Sequence, residues 1–87
     1  MYYVYIIQSE KDKSFYIGST SNINNRIREH NYGNTRYTKH KRPWGLLYTE
    51  EFPAKSSAIK REKYLKRLKN KKYLEGLIRK SRELTGL

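Results

Sequence analysis

The sequence predicts an α+β fold, a three-stranded antiparallel sheet flanked by helices in the order ββαβαα. Three observations predict it. Two runs rich in β-branched and aromatic residues, YYVYIIQS and SFYIGST, are separated only by the short charged turn EKDK, which reads as a hairpin. A third such run, WGLLYTEEF, ends against a proline. Between and after these runs lie three segments with helical spacing of their apolar residues, the last two in succession.

The elements follow in order. Tyr2–Ser9 is the first strand, Glu10–Lys13 the turn and Phe15–Ser19 the second strand. Side chains alternate faces along a strand, so pairing across this turn puts Val4 and Ile6 on one face with Phe15 and Ile17. Tyr3 and Tyr5 then share the other face with Tyr16 and Gly18. Ser21 or Asn22 caps a helix from about Ile23 to Asn31 that stops near Gly33. Ile23, Arg26, Ile27 and His30 fall in one sector of that helix, whereas Arg28 and Glu29 point elsewhere. Tyr32–Pro43 reads as a loop holding the basic cluster Lys39-His40-Lys41-Arg42, and Trp44–Phe52 as the third strand. Ser56 is the expected cap of a helix from Ser57 to about Leu68. A last helix, Lys71 to Arg82, is amphipathic through Tyr73, Leu74, Leu77 and Ile78.

Residues 1–87 leave room for one domain with one small core. There are no cysteines and only two histidines, which removes disulfides, thiolate metal sites and a multi-histidine zinc site. No apolar run spans a bilayer and no basic leader precedes Tyr2, so a cytoplasmic protein is expected. Twenty Lys and Arg against eight Asp and Glu leave a net charge of +12. Residues 55–87 carry twelve basic and three acidic groups, +9 of that total. Such a field attracts polyanions, nucleic acid first among them, unless it is merely a lysine-rich solvated surface.

The sectors bring candidate groups together. Tyr5 and Tyr16 share a sheet face, and Arg26 and His30 lie in the packing sector of the first helix. On the second helix Glu62 lies about 40° from Ala58 and about 60° from Ile59, at the margin of the apolar face. Each has a structural alternative. Strand tyrosines usually pack, Arg26 has Glu29 or Glu10 to pair with, and His30 suits a helix C-terminus. Glu62 has Lys66 one turn on, and Gly18 is explained if a helix crosses that sheet face. Taken together, one carboxylate, an arginine and two phenols on a basic surface suit phosphodiester hydrolysis with one divalent ion. There is no Ser-His-Asp order, glycine-rich phosphate loop or dense carboxylate cluster to suggest other chemistry. A phenol acting as base needs nearby cations, because about a thousandth of a free tyrosine is phenolate at pH 7.

Tyr3-Val4-Tyr5, then Tyr16-Ile17-Gly18, then Arg26, His30 and Glu62, resembles in order and spacing the GIY-YIG nuclease domain. The likeness runs from Tyr2 to about Leu68 and is greatest to small stand-alone proteins similar to the N-terminal domain of an excinuclease. It implies that Tyr5 and Tyr16 are the site tyrosines, Arg26 the transition-state arginine, His30 the residue orienting a tyrosine, and Glu62 the ligand of Mg2+ or Mn2+. It also implies single-strand cleavage of DNA in repair or processing, leaving 5′-phosphate and 3′-hydroxyl ends. Tyr3 stands where the family name has glycine. The chain lacks the separate DNA-binding domain of larger relatives, which leaves room for an accessory protein that delivers it to its target. DNA contacts are expected from Lys39, Lys41 and Arg42 in the loop and from Lys60, Lys63 and Lys66 on the second helix. The competing readings are a non-catalytic nucleic-acid-binding module on the same scaffold and a basic protein-interaction domain.

Overall fold

The structure, a computed structural model, describes residues 1–84. The apolar centre of the first run makes it the middle strand. β1 (Tyr2–Ser9) lies between β2 (Phe15–Thr20) and β3 (Trp44–Phe52), antiparallel to both. Tyr5 pairs with Gly18, Ile6 with Ile17 and Ile7 with Tyr16, so the two faces are divided as the alternation predicts. Val4, Ile6 and Ile17 form the principal core with Ala58, Leu65, Leu74 and Ile78 of the later helices. Tyr5, Ile7 and Trp44 form a second cluster on the opposite face, covered by Tyr16, Ile23 and Ile27.

β3 departs from simple alternation. Ile6 pairs with Tyr48 and Ile7 with Leu46, so Leu47 is an extra residue in a bulge. The shift lets Trp44 reach the second cluster while Leu47, Tyr48 and Phe52 pack against the principal core. Period-two reasoning alone misses it, because a bulge satisfies two hydrophobic faces at once and leaves no mark in residue type.

Helix α1 (Ile23–Tyr32) is capped by Asn22 rather than Ser21, its side chain accepting the Asn25 N–H at 3.0 Å. Gly33 ends it at φ +83°, a left-handed position suited to glycine. The following segment is not structureless: Lys39–Lys41 form a single 3-10 turn. Helix α2 (Lys55–Leu68) corrects the expected start at Ser57. Ala54 occupies the cap and makes no side-chain bond, so Ser56 lies inside the first turn. Burial of Ala58 and Leu65 holds this helix, and tertiary packing outweighs a missing cap. Helix α3 (Lys71–Leu84) buries Leu74 and Ile78, with Leu77 partly covered, while Tyr73 is exposed at the margin of that face. Arg61 of α2 donates to both oxygens of Glu50 on β3, at 2.9 and 3.1 Å, and Tyr48 donates to the same carboxylate. This bidentate pair ties the helical layer to the sheet. No helix among the described residues is long and apolar enough to cross a membrane.

Candidate active site

The site is built on the second face of the sheet. Tyr5 lies flat across Gly18, its neighbour on β2. A Cβ at Gly18 would stand 2.9 Å from Cε2 of Tyr5 and closer still to its Cζ and hydroxyl. The atoms that a Cβ at Gly18 would meet belong to a phenol of the same sheet, so the glycine answers to Tyr5 rather than directly to the helix that packs over this face.

α1 covers this face and carries His30 and Arg26 one turn apart. His30 is fully buried, unusual for a histidine near a helix end, and its two nitrogens are both engaged. Nε2 stands 2.9 Å from the Tyr5 hydroxyl and Nδ1 2.8 Å from the Thr38 hydroxyl. Arg26 Nε, which only donates, is 3.4 Å from the Tyr5 oxygen. The direction of the whole chain follows. Arg26 donates to Tyr5, Tyr5 donates to His30 Nε2, His30 Nδ1–H donates to Thr38, and Thr38 donates to the Thr35 carbonyl at 3.5 Å. Only this direction gives every buried proton an acceptor. The helix-cap alternative for His30 fails, because its ring points into the core.

Burial pushes the Tyr5 hydroxyl up to about 12; the bond and charge of Arg26 oppose that rise, and nearby Tyr16 and Glu62 add to it. Arg26 does favour the phenolate, as expected of a neighbouring cation, but at Tyr5 the desolvation is larger and the hydroxyl is raised on balance. His30 is held down at about 4, chiefly because burial penalises the imidazolium, with the Arg26 charge adding to the effect. Both groups are neutral near pH 7. The His30 shift has a measurable consequence. The unfolded chain takes up this proton near 6.5 and the folded chain only near 4, so stability is full above 6.5. It is lost as pH falls from 6.5 towards 4, by about 3 kcal/mol at full extent. Urea unfolding across that window should show the slope, and His30→Gln should flatten it. An equal slope in both proteins would place the proton uptake elsewhere.

Tyr16 differs from Tyr5. Its ring stacks edge-on to His30 at 5.1 Å and to Trp44 at 6.3 Å, it is only half-buried, and its hydroxyl makes no hydrogen bond among the described residues. Arg26 also pairs with Glu29 at 2.8 Å, as one of its alternatives anticipated. Two of its five donors are thereby engaged.

Glu62 comes from the other layer. α2 runs beside β2, one of the two edge strands of the sheet, and Ser19 donates to Glu62 Oε1 at 2.5 Å. Lys66 holds Oε2 at 2.6 Å and also lies over the Tyr16 ring, 5.6 Å from its centre. The carboxylate thus meets the aromatic cluster around the sheet edge, and the simple pair with Lys66 is present as well. Tyr5, Tyr16, Arg26 and His30 are brought together directly, whereas Glu62 joins them through Lys66. Among the described residues no group of three or more histidines and acids could hold a metal ion. One carboxylate does fit a magnesium-like ion, which keeps most of its waters and is commonly bound by one or two carboxylates plus substrate phosphate.

The basic residues are spread more widely. Lys39, Lys41, Arg42, Lys60, Lys63 and Lys66 are all exposed. Lys41 pairs with Asp12 at 3.2 Å, and Arg42 is folded back to donate to the Lys39 carbonyl at 2.7 Å. Lys60 and Lys63 lie on the side of α2 turned away from the sheet, where periodicity opposes them to Ala58 and Leu65. Thr38 and Ser19 escape sequence reasoning. They are small hydroxyl residues in polar surroundings, and only the fold reveals their partners. Trp44 carried a signal, as the sole tryptophan.

An antiparallel sheet whose paired strands carry two tyrosines over a glycine, with arginine and histidine on the next helix, defines a GIY-YIG-type domain. The chain belongs to the GIY-YIG catalytic domain family, which matches residues 1–74. It is similar to the UPF0213 protein SH2523 of Staphylococcus haemolyticus, 47% identical over 66 residues that make up 75% of this chain and 79% of that one. It is also similar to the UPF0213 protein CPE1444 of Clostridium perfringens, 42% identical over 93% of this chain and 87% of the relative. The solution NMR structure of the UPF0213 protein BH0048 from Bacillus halodurans shares the fold, with a TM-score of 0.56 and 35% identity over 90% of this chain and 83% of that one. The chain is therefore a small member of a superfamily of endonucleases that act on DNA.

Proposed function

We propose that this protein is a metal-dependent DNA endonuclease that hydrolyses a phosphodiester bond in one strand, in repair or processing of DNA. The observation that carries the reading is the held guanidinium of Arg26, fixed by Tyr5 and Glu29 with donors to spare, while the phenol of Tyr16, without a hydrogen bond among the described residues, packs on the same His30 ring as Tyr5. A phosphate seated there gains charge on its oxygens as water attacks, and a preorganised guanidinium neutralises that charge without reorganising. Tyr5, neutral and buried, acts by positioning Arg26. Tyr16 is the phenol that faces substrate; it accepts the proton of the attacking water as its own hydroxyl proton passes to a non-bridging oxygen of the scissile phosphate. Glu62 would hold Mg2+ or Mn2+, which when bound stabilises charge on the leaving oxygen. His30 orients Tyr5 and is itself held by Thr38.

The alternative, a nucleic-acid-binding module without turnover, is favoured by the Lys66–Glu62 pair, which occupies the carboxylate that a metal would need. One comparison separates them. Nicked, branched and blunt duplex DNA is incubated with and without Mg2+, alongside Glu62→Gln. Magnesium-dependent cutting that this variant lacks supports the enzyme; no cutting, or equal cutting by the variant, removes it. Binding by either route rests on phosphate contacts from Lys39, Lys41, Arg42, Lys60, Lys63 and Lys66. Affinity should therefore fall about tenfold or more between roughly 50 and 200 mM salt. A flat response would strike nucleic acid from the partners.

A further inference from the structure

Beside the candidate site, between β2 and the segment that joins α1 to β3, lies a cavity of about 580 Å³. That volume is in the range of pockets that take small organic ligands. Its walls include Tyr16, Tyr37, Thr38 and Trp44, with Lys41 and Lys66 at its sides. Two features set it apart. Tyr37 is 84% exposed, the most open of the large apolar side chains among the described residues, and the buried residue beside it is fixed. Thr38 is held through its hydroxyl by His30 and through its carbonyl by Trp44 Nε1 at 2.8 Å. The ring is thus presented to solvent on an anchored backbone. The segment Tyr32–Pro43 also carries Arg36, Lys39, Lys41 and Arg42 and no acid. Exposed aromatics interleaved with cations are the means by which proteins hold unpaired nucleotides, the rings by stacking and the cations by phosphate contact.

We propose that this cavity is a subsite for one unpaired nucleotide of the strand to be cut, its base stacked on Tyr37 and its phosphates against Lys41 and Lys66. The inference rests on the nuclease reading for what lies next door. Tyr16 and Lys66 line both places, so a base in the cavity puts its adjoining phosphate at the candidate site. A base within duplex has both faces already stacked and cannot enter, so the subsite selects flaps, gaps and single strands over intact duplex. Discrimination then comes from the accessibility of a base, not from its sequence, since every base has a face to stack.

Trp44 supplies the test, being the only tryptophan and a wall of the cavity. Its fluorescence is followed without divalent ion while three probes are added at one salt concentration. They are a short single-stranded oligonucleotide, the same sequence as blunt duplex, and an abasic strand of equal charge. The intact single strand should quench Trp44 saturably and bind about tenfold more tightly than the abasic strand. Tyr37→Ala should abolish that advantage, bringing the intact strand down to the abasic value while leaving duplex binding within about twofold, and Tyr37→Phe, which keeps the ring and adds no second tryptophan, should retain it. The exposure of Tyr37 makes these variants safe for folding. Equal binding of intact and abasic strands, or an equal loss on duplex and single strand, overturns the subsite. No cutting is needed for this measurement. A protein that passes it and never cleaves keeps the subsite and loses the nuclease reading, and one that cleaves but fails it does the reverse.

Discussion

Replacing Arg26 by alanine is expected to lower DNA cleavage by about 10³-fold while changing DNA affinity by no more than about threefold. The reason lies in when its charge is needed. On the proposed mechanism a phosphate in the ground state has solvent and several lysines to balance it, whereas the additional charge of the transition state falls to Arg26. The guanidinium is held at two points, by Tyr5 at 3.4 Å and Glu29 at 2.8 Å, so its orientation is set before substrate arrives. Arg26→Lys keeps a charge but loses the planar fork, and should recover only a small part of the rate. Tyr5→Phe removes one of the two holding points and should slow cleavage without removing the arginine. Folding should survive Arg26→Ala, since the side chain is 34% exposed and its ion pair with Glu29 is a surface one. Single-turnover cleavage in Mg2+, together with binding measured without it, gives both numbers. Unchanged cleavage would reduce Arg26 to a partner of Glu29.

The second large effect is on the fold itself. Gly18→Ala should destabilise the protein by about 3 kcal/mol and remove cleavage, because the new methyl enters the space of the Tyr5 ring. The ring cannot simply move. Its hydroxyl links Arg26 to His30, and displacing it leaves buried hydrogen-bonding groups without partners. The edge strand cannot yield far either, being paired along β1 from Gln8 to Tyr3. Thermal or urea unfolding reads the loss, and a double variant identifies its source. Tyr5→Ala in the same chain takes away the ring that the methyl meets, so the pair should cost less than the sum of the two single changes. Strict additivity would mean that Gly18 is needed for some other reason.

Much of this was legible beforehand. The division of Val4, Ile6 and Ile17 from Tyr5, Tyr16 and Gly18 follows from alternation, and the pairing of the strands reproduces it. Arg26 and His30 read as inward-facing because helical spacing puts them in line with Ile23 and Ile27. Other features were not legible. The start of α2 at Lys55 reflects packing of Ala58 and Leu65 overriding the capping preference of Ser56. The bulge at Leu47 answers to two faces that only the assembled layers create.

Sequence alone determined what is periodic or compositional in this protein: strand faces, helix sectors, the excess of positive charge, and the types of residue gathered near one another. Those follow from local geometry repeated along the chain. Tertiary structure alone decided the state of the groups that gather. Desolvation makes Tyr5 a neutral link rather than a phenolate, Thr38 orients His30, and Glu62 reaches the cluster around an edge of the sheet in the grip of Lys66. The free energy of a polar group depends on everything packed around it, and that surrounding is assembled from residues far apart in the chain.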